Sequence, residues 1–86
     1  MPLDPIPDWV PTHRRAIGER IRTRRRELHL SQAALGERVG RDHKTIHRWE
    51  TAGTNMTVTD LLLLARALRT TVGALADEEP AAGARG

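Results

Sequence analysis

Cysteine, tyrosine and phenylalanine are absent from this 86-residue sequence, and each absence removes a class of protein. Without cysteine there is no disulfide framework and no thiolate zinc site. Two tryptophans are the only aromatics, so leucine, isoleucine, valine and alanine must fill the core, a composition that favours helices over sheets. Long apolar runs are also missing. The longest, residues 61–65, has five residues, whereas a membrane span needs about 20, so no membrane contact is expected. The start, Met1-Pro2-Leu3-Asp4, has neither the basic opening nor the apolar middle of a signal peptide, and a cytoplasmic protein is the expectation. Ser31 is the sole serine and sits where a helix begins, no carboxylates pair on one face, and no phosphate-cradling glycine loop occurs. One small domain of this size has little room for a substrate pocket beside its core. Neither an enzyme nor a cofactor is expected.

What is present is positive charge in one place. The net charge is +3, yet from His13 to Arg48 there are eleven Arg or Lys against four Asp or Glu, while Asp77-Glu78-Glu79 turns the far end acidic. Such a block suits a polyanion, because each phosphate neutralised releases condensed counterions. It equally suits a solvated charged face, and the surrounding pattern has to decide.

Pro2, Pro5, Pro7 and Pro11 make residues 1–12 an extended proline-rich arm and put the first helix no earlier than Thr12. The arm has Asp4 and Asp8 but no Arg or Lys, which does not suit a minor-groove clamp; Ile6, Trp9 and Val10 are expected to pack on the body or on a partner chain. Residues 13–76 form the folded domain, and 77–86, acidic and rich in alanine and glycine, a loose tail. The first helix, about 13–28, sets Ile17, Ile21 and Leu28 within about 40° of one another. Arg24 shares that stripe, its stem expected along the core edge and its guanidinium in water. Ser31 caps a second helix that buries Leu35 and Val39 and ends at Gly40, a residue suited to the left-handed conformation. Asp42 caps a third. Thr57 with Asp60 forms a capping box before a fourth, whose buried side is Leu61, Leu64, Ala65 and Leu68. Thr71 caps a last turn that buries Val72 and Leu75. The expected class is all-α with five helices.

The second and third helices, joined by a tight glycine turn, have the build of a helix-turn-helix. On a helical wheel with His43 at zero, His47, Lys44 and Arg48 fall at about 40°, 100° and 140°, whereas Trp49 and Ile46 fall at about 240° and 300°. Four donors face one way and two apolar anchors the other, an arrangement that can meet base edges and phosphates in a major groove. His43 and His47, four apart, could chelate zinc or nickel, but their face holds no carboxylate, and His13 and His29 have no evident route to join them. No metal is expected. RNA is a weaker partner, since its sequence-specific readers favour aromatic stacking platforms.

Leu30-Ser31-Gln32, Leu35, Val39-Gly40, Ile46, Trp49-Glu50 and residues 61–68 resemble the phage repressor and Cro type of helix-turn-helix domain, also called the xenobiotic-response-element family, over about residues 14–76. The resemblance implies a compact five-helix, lambda-repressor-like fold and a transcriptional regulator, usually a repressor, that binds operator duplex DNA as a homodimer. It implies that Gln32 holds a phosphate or an outer base, and that His43, Lys44, Thr45 and Arg48 contact bases or adjacent phosphates, with His47 between them. Arg41 and Asn55 complete the expected DNA-binding set. It implies also that Arg25 and Glu50 pair as an internal salt bridge. Three departures stand out. Gly36 replaces the usual alanine and would allow close approach of the third helix. Gly53 comes one place later than in the common pattern, which bears on the path through Thr54 and Asn55. Leu63 replaces a polar residue and, with Leu61, Leu62 and Leu64, leaves the fourth helix apolar nearly all round, a surface normally covered. Either a homodimer contact through Leu62 and Leu63 or the arm bearing Trp9 would cover it. The alternative reading of the whole chain is an antitoxin-like or adaptor module that holds a protein partner, for which the N-terminal arm is the candidate contact.

Overall fold

The computed structural model describes residues 5–78, which form five helices: α1 (Trp9–Glu27), α2 (Gln32–Val39), α3 (His43–Ala52), α4 (Val58–Ala67) and α5 (Val72–Ala76). Four of them open on a capping side chain. Ser31 Oγ accepts from the Ala34 N–H at 3.0 Å, Asp42 Oδ1 from Thr45 at 2.8 Å and Thr71 Oγ1 from Ala74 at 2.9 Å. At α4 the capping box is complete: Thr57 Oγ1 accepts from the Asp60 N–H at 3.0 Å, and Asp60 Oδ2 accepts from the Thr57 N–H at 2.9 Å. Each bond satisfies a donor that a helix start leaves without an internal partner. α2 and α3 end on glycines in the left-handed region, Gly40 at φ 72° and Gly53 at φ 63°.

α1 begins at Trp9, three residues before the earliest start the prolines suggested, with Pro11 inside its first turn. The first N–H groups of a helix have no internal acceptor, so the donor that proline lacks is not missed there. The extended arm is therefore shorter than residues 1–12. Ile6 and Trp9 do not pack on the body: they are 60% and 57% exposed, and the indole lies beside the His13 ring, centroids 6.3 Å apart. Residues 1–4 of the arm and 79–86 of the expected tail lie outside the described residues.

The core is Ile21, Leu35, Ile46, Leu64, Leu68 and Leu75, all fully buried, joined by Val39, Trp49 and Ala65, with Ile17, Leu28 and Val72 packed around them. Leu61, expected among these, is only half-buried. α3 packs on α1 and α2, α4 on α2 and α5, and α5 returns to α1. Two crossings need glycine. A Cβ on Gly18 would stand 2.3 Å from the Trp49 carbonyl oxygen, and one on Gly36 would stand 2.3 Å from that of Arg41. The room at Gly36 thus accommodates the α2–α3 turn rather than α3 itself.

Side chains of α1 hold the far ends of the later helices. Arg24 Nε donates to the Leu68 carbonyl at 2.8 Å and Nη2 to that of Arg69 at 3.2 Å. Arg20 donates to the carbonyls of Leu75 and Asp77, and His13 Nε2 to that of Ala76 at 2.7 Å. Arg24 is therefore not directed to water as its place on the apolar stripe suggested. The last carbonyls of a helix lack internal donors, and a guanidinium brings five.

Candidate nucleic-acid interface

Ile46 and Trp49, 0% and 3% exposed, pin α3 to the body. The opposite side of the helix carries His43, Lys44, His47, Arg48 and Thr51, all exposed, with Thr45 half-buried beside them. Arg48 Nη2 donates to Thr45 Oγ1 at 3.2 Å, so the guanidinium lies along the outer surface of the helix. At its start, the backbone N–H and the hydroxyl of Thr45 hold the Asp42 carboxyl below its ordinary pKa, helped by Arg48 and His43.

Beneath this face lies a buried ion pair. Arg25 Nε donates to Glu50 Oε2 at 2.6 Å and Nη2 to Oε1 at 2.9 Å, a two-bond fork, while Nη1 donates to the Leu30 carbonyl at 2.8 Å. The bonds to Glu50 raise the Arg25 pKa, although burial acts in the opposite sense. Gln32 Nε2 donates to Glu50 Oε1 at 3.1 Å and stands 3.5 Å from His47 Nδ1. Gln32 therefore links the pair to the outer face of α3.

Arg41 does not join that face as a free donor. Its Nη2 donates to Asp60 Oδ1 at 2.7 Å, bracing the α2–α3 turn against the first turn of α4. Asp60 is buried, and with Oδ2 committed to Thr57 its other oxygen needs a donor that the turn brings within reach. That single bond occupies one of its amino groups, and the Arg41 side chain remains exposed on the turn. Asn55 is exposed on the α3–α4 loop at φ 58°, a conformation asparagine tolerates better than most residues.

The structure adds two residues that the sequence reading passed over. Arg22 and Arg26, both exposed, line a groove of about 250 Å³ together with Arg25, Gln32, His47, Glu50 and Thr51. A signal for them exists: on the wheel of α1 both fall to the same side of Arg25, at about 60° and 100°. Once Arg25 is directed at α3, its two neighbours must flank the same helix.

Leu62 and Leu63 stand uncovered on α4 at 57% and 39% exposure, next to Val58 at 73%. The arm does not cover them among the described residues, because Trp9 lies beside His13, Ala16, Arg20 and Glu78, where α1 meets the end of α5. No group of three or more His, Cys, Asp or Glu among the described residues could hold a metal ion, and none of the described helices is long and apolar enough to cross a membrane.

A short helix seated by two apolar anchors across a glycine turn, with donors along its outer side, defines a helix-turn-helix domain. The family model for the helix-turn-helix domain matches residues 16–78, and the chain belongs to that family. It is 45% identical over 53 residues to Repressor protein C2 of Salmonella phage P22, a stretch that covers 62% of this chain and 24% of that protein. The chain thus spans about a quarter of the length of that relative. Among solved structures it is similar to the P22 c2 repressor in complex with synthetic operator 9T, with a TM-score of 0.68 and 40% identity over 73% of this chain and 96% of that one. It is similar also to the restriction-modification controller protein C.AhdI from Aeromonas hydrophila, with a TM-score of 0.71 and 28% identity over 74% of this chain and 97% of that one. Hydroxypropylphosphonic acid epoxidase from S. wedmorenis contains a similar unit, with a TM-score of 0.74 and 30% identity over 84% of this chain and 37% of the enzyme.

Proposed function

We propose that this chain is a sequence-specific reader of duplex DNA, a cytoplasmic transcriptional regulator acting as a repressor, with α3 in the major groove. The observation that carries the reading is the two-sidedness of α3: Ile46 and Trp49 are buried, while His43, Lys44, His47 and Arg48 are exposed. Arg48 is the reader of a guanine edge, through O6 and N7. His43, Lys44 and Thr45 meet bases or adjoining phosphates, Gln32 a phosphate or an outer base, and Asn55 a phosphate. Support comes from the P22 repressor, solved with an operator, and from C.AhdI, a controller protein. The epoxidase shares the helical unit over about a third of its length, so the fold alone does not assign the function; the face of α3 supports it.

The uncovered Val58, Leu62 and Leu63 favour a homodimer through α4, since exposed apolar clusters rimmed by polar residues mark contact surfaces. Exposed Ile6 and Trp9 favour a second reading, in which a protein partner docks on the arm. The test is selection of bound sequences from a pool of random duplex DNA. The expected outcome is a consensus with two half-sites about 34 to 36 Å apart, as two-fold dimers require. A pool that stays random after repeated rounds overturns the reading.

A further inference from the structure

The buried Arg25–Glu50 pair reaches the outer face of α3 through a single amide. Glu50 Oε1 accepts from Arg25 at 2.9 Å and from Gln32 Nε2 at 3.1 Å. The second contact settles which way round the amide stands, because turning it over would set its carbonyl oxygen against an enclosed carboxylate. The amide nitrogen carries two hydrogens. One goes to Glu50, and the other faces Nδ1 of the exposed His47 at 3.5 Å. A neutral imidazole accepts on one nitrogen and donates from the other. With a donor facing Nδ1, the ring hydrogen belongs on Nε2, which is then the one donor that His47 presents beyond the network. His43, one turn earlier and equally exposed, has no side-chain hydrogen bond of this kind among the described residues.

We infer that His47 reads the major-groove edge of one base pair as a donor of fixed tautomer, and that Gln32 is the positioning residue that fixes it. The inference rests on the DNA-reading function proposed above and deepens it, by stating which base one side chain of α3 excludes. A ring with its hydrogen on Nε2 alone can meet an acceptor: O6 or N7 of guanine, N7 of adenine, or O4 of thymine. It cannot meet cytosine, whose N4 amino group only donates there. Cytosine is therefore rejected at the position that His47 faces. The Gln32 carbonyl oxygen takes no part in this network and is left for an outer base.

The test has two readouts on the full chain, with circular dichroism showing that His47→Ala and Gln32→Met fold like the unmodified chain. The first is the tautomer, read from the imidazole nitrogen shifts of the nitrogen-15-labelled chain without DNA at pH 8; the His47 signals are those that His47→Ala removes. The unmodified chain should carry the hydrogen on Nε2 alone at His47, and Gln32→Met should show the mixture of a free imidazole. Hydrogen on Nδ1, or the same mixture with and without Gln32, overturns the inference. The second readout is affinity, by fluorescence anisotropy, for a duplex selected from random sequence and for its single-base-pair substitutions. The unmodified chain should reject cytosine at one position other than the one set by Arg48. His47→Ala should accept all four bases there, losing a discrimination of roughly threefold to tenfold, the worth of one hydrogen bond. Gln32→Met should retain only part of that discrimination. Full discrimination at every position in His47→Ala, or a loss spread evenly over all the duplexes, overturns the inference and leaves the α3 reading standing. If the unmodified chain selects no sequence, both readings fall together.

Discussion

At the scale of single residues, the bidentate Arg25–Glu50 pair is where a small change has the largest effect. The Glu50 side chain is almost wholly enclosed, and the fork that neutralises it also fixes Gln32 at the edge of α3. Removing one partner leaves the other charge buried without compensation, which costs about 3 to 5 kcal/mol. Glu50→Ala should lose that much stability in urea unfolding followed by tryptophan fluorescence, and Arg25→Met/Glu50→Leu together should lose much less. A loss below about 1 kcal/mol in the single variant would show a pair screened by solvent. The pair was legible only through family resemblance, because 25 positions separate its members and neither carries a local signature.

At the scale of elements, the starts of α2 to α5 and the glycine end of α2 were plain in the sequence, whereas the start of α1 and the long-range capping of α4 and α5 were not. Ser31, Asp42, Thr57 with Asp60, and Thr71 each act on a backbone group three residues away, so the pattern that reveals them is local. The capping of α4 and α5 by Arg24, Arg20 and His13 spans 44 to 63 positions; the apolar stripe sets Arg24 apart from Arg22, but nothing local says which carbonyl it meets. Pro11 misled for a related reason: its cost depends on where in a helix it falls, and Trp9 supplied two further residues ahead of it.

The element-scale strut between Arg41 and Asp60 has a pH signature. Burial raises the Asp60 pKa, but the backbone N–H and hydroxyl of Thr57, with Arg41, outweigh it, and the net shift is downward. A carboxyl whose folded pKa lies below its unfolded value of about 3.9 stabilises the fold above that pH and loses the contribution as the pH falls through the folded value. The stability difference between the unmodified chain and Asp60→Asn should therefore be largest above about pH 5 and shrink toward pH 2 in urea titrations. A difference that stays constant across that range contradicts the strut.

At the scale of the whole molecule, the account places one surface toward a duplex and another toward a second copy. The apolar face of α4 should make the unmodified chain sediment as a dimer at high micromolar concentration, and Leu62→Glu/Leu63→Glu as a monomer; a monomer in both cases leaves α4 without the proposed role. The donor face of α3 was legible because its 3.6-residue period needs only ten consecutive positions, whereas the groove beside it needs two helices brought together by folding. The most direct measurement of the central claim is the affinity of the unmodified chain and of Arg48→Ala for a selected duplex and for its set of single-base-pair substitutions. The account predicts that Arg48→Ala loses about 1 to 3 kcal/mol on the selected duplex and becomes indifferent to the identity of one base pair. Undiminished binding, or a loss spread evenly over every substituted duplex, would contradict it.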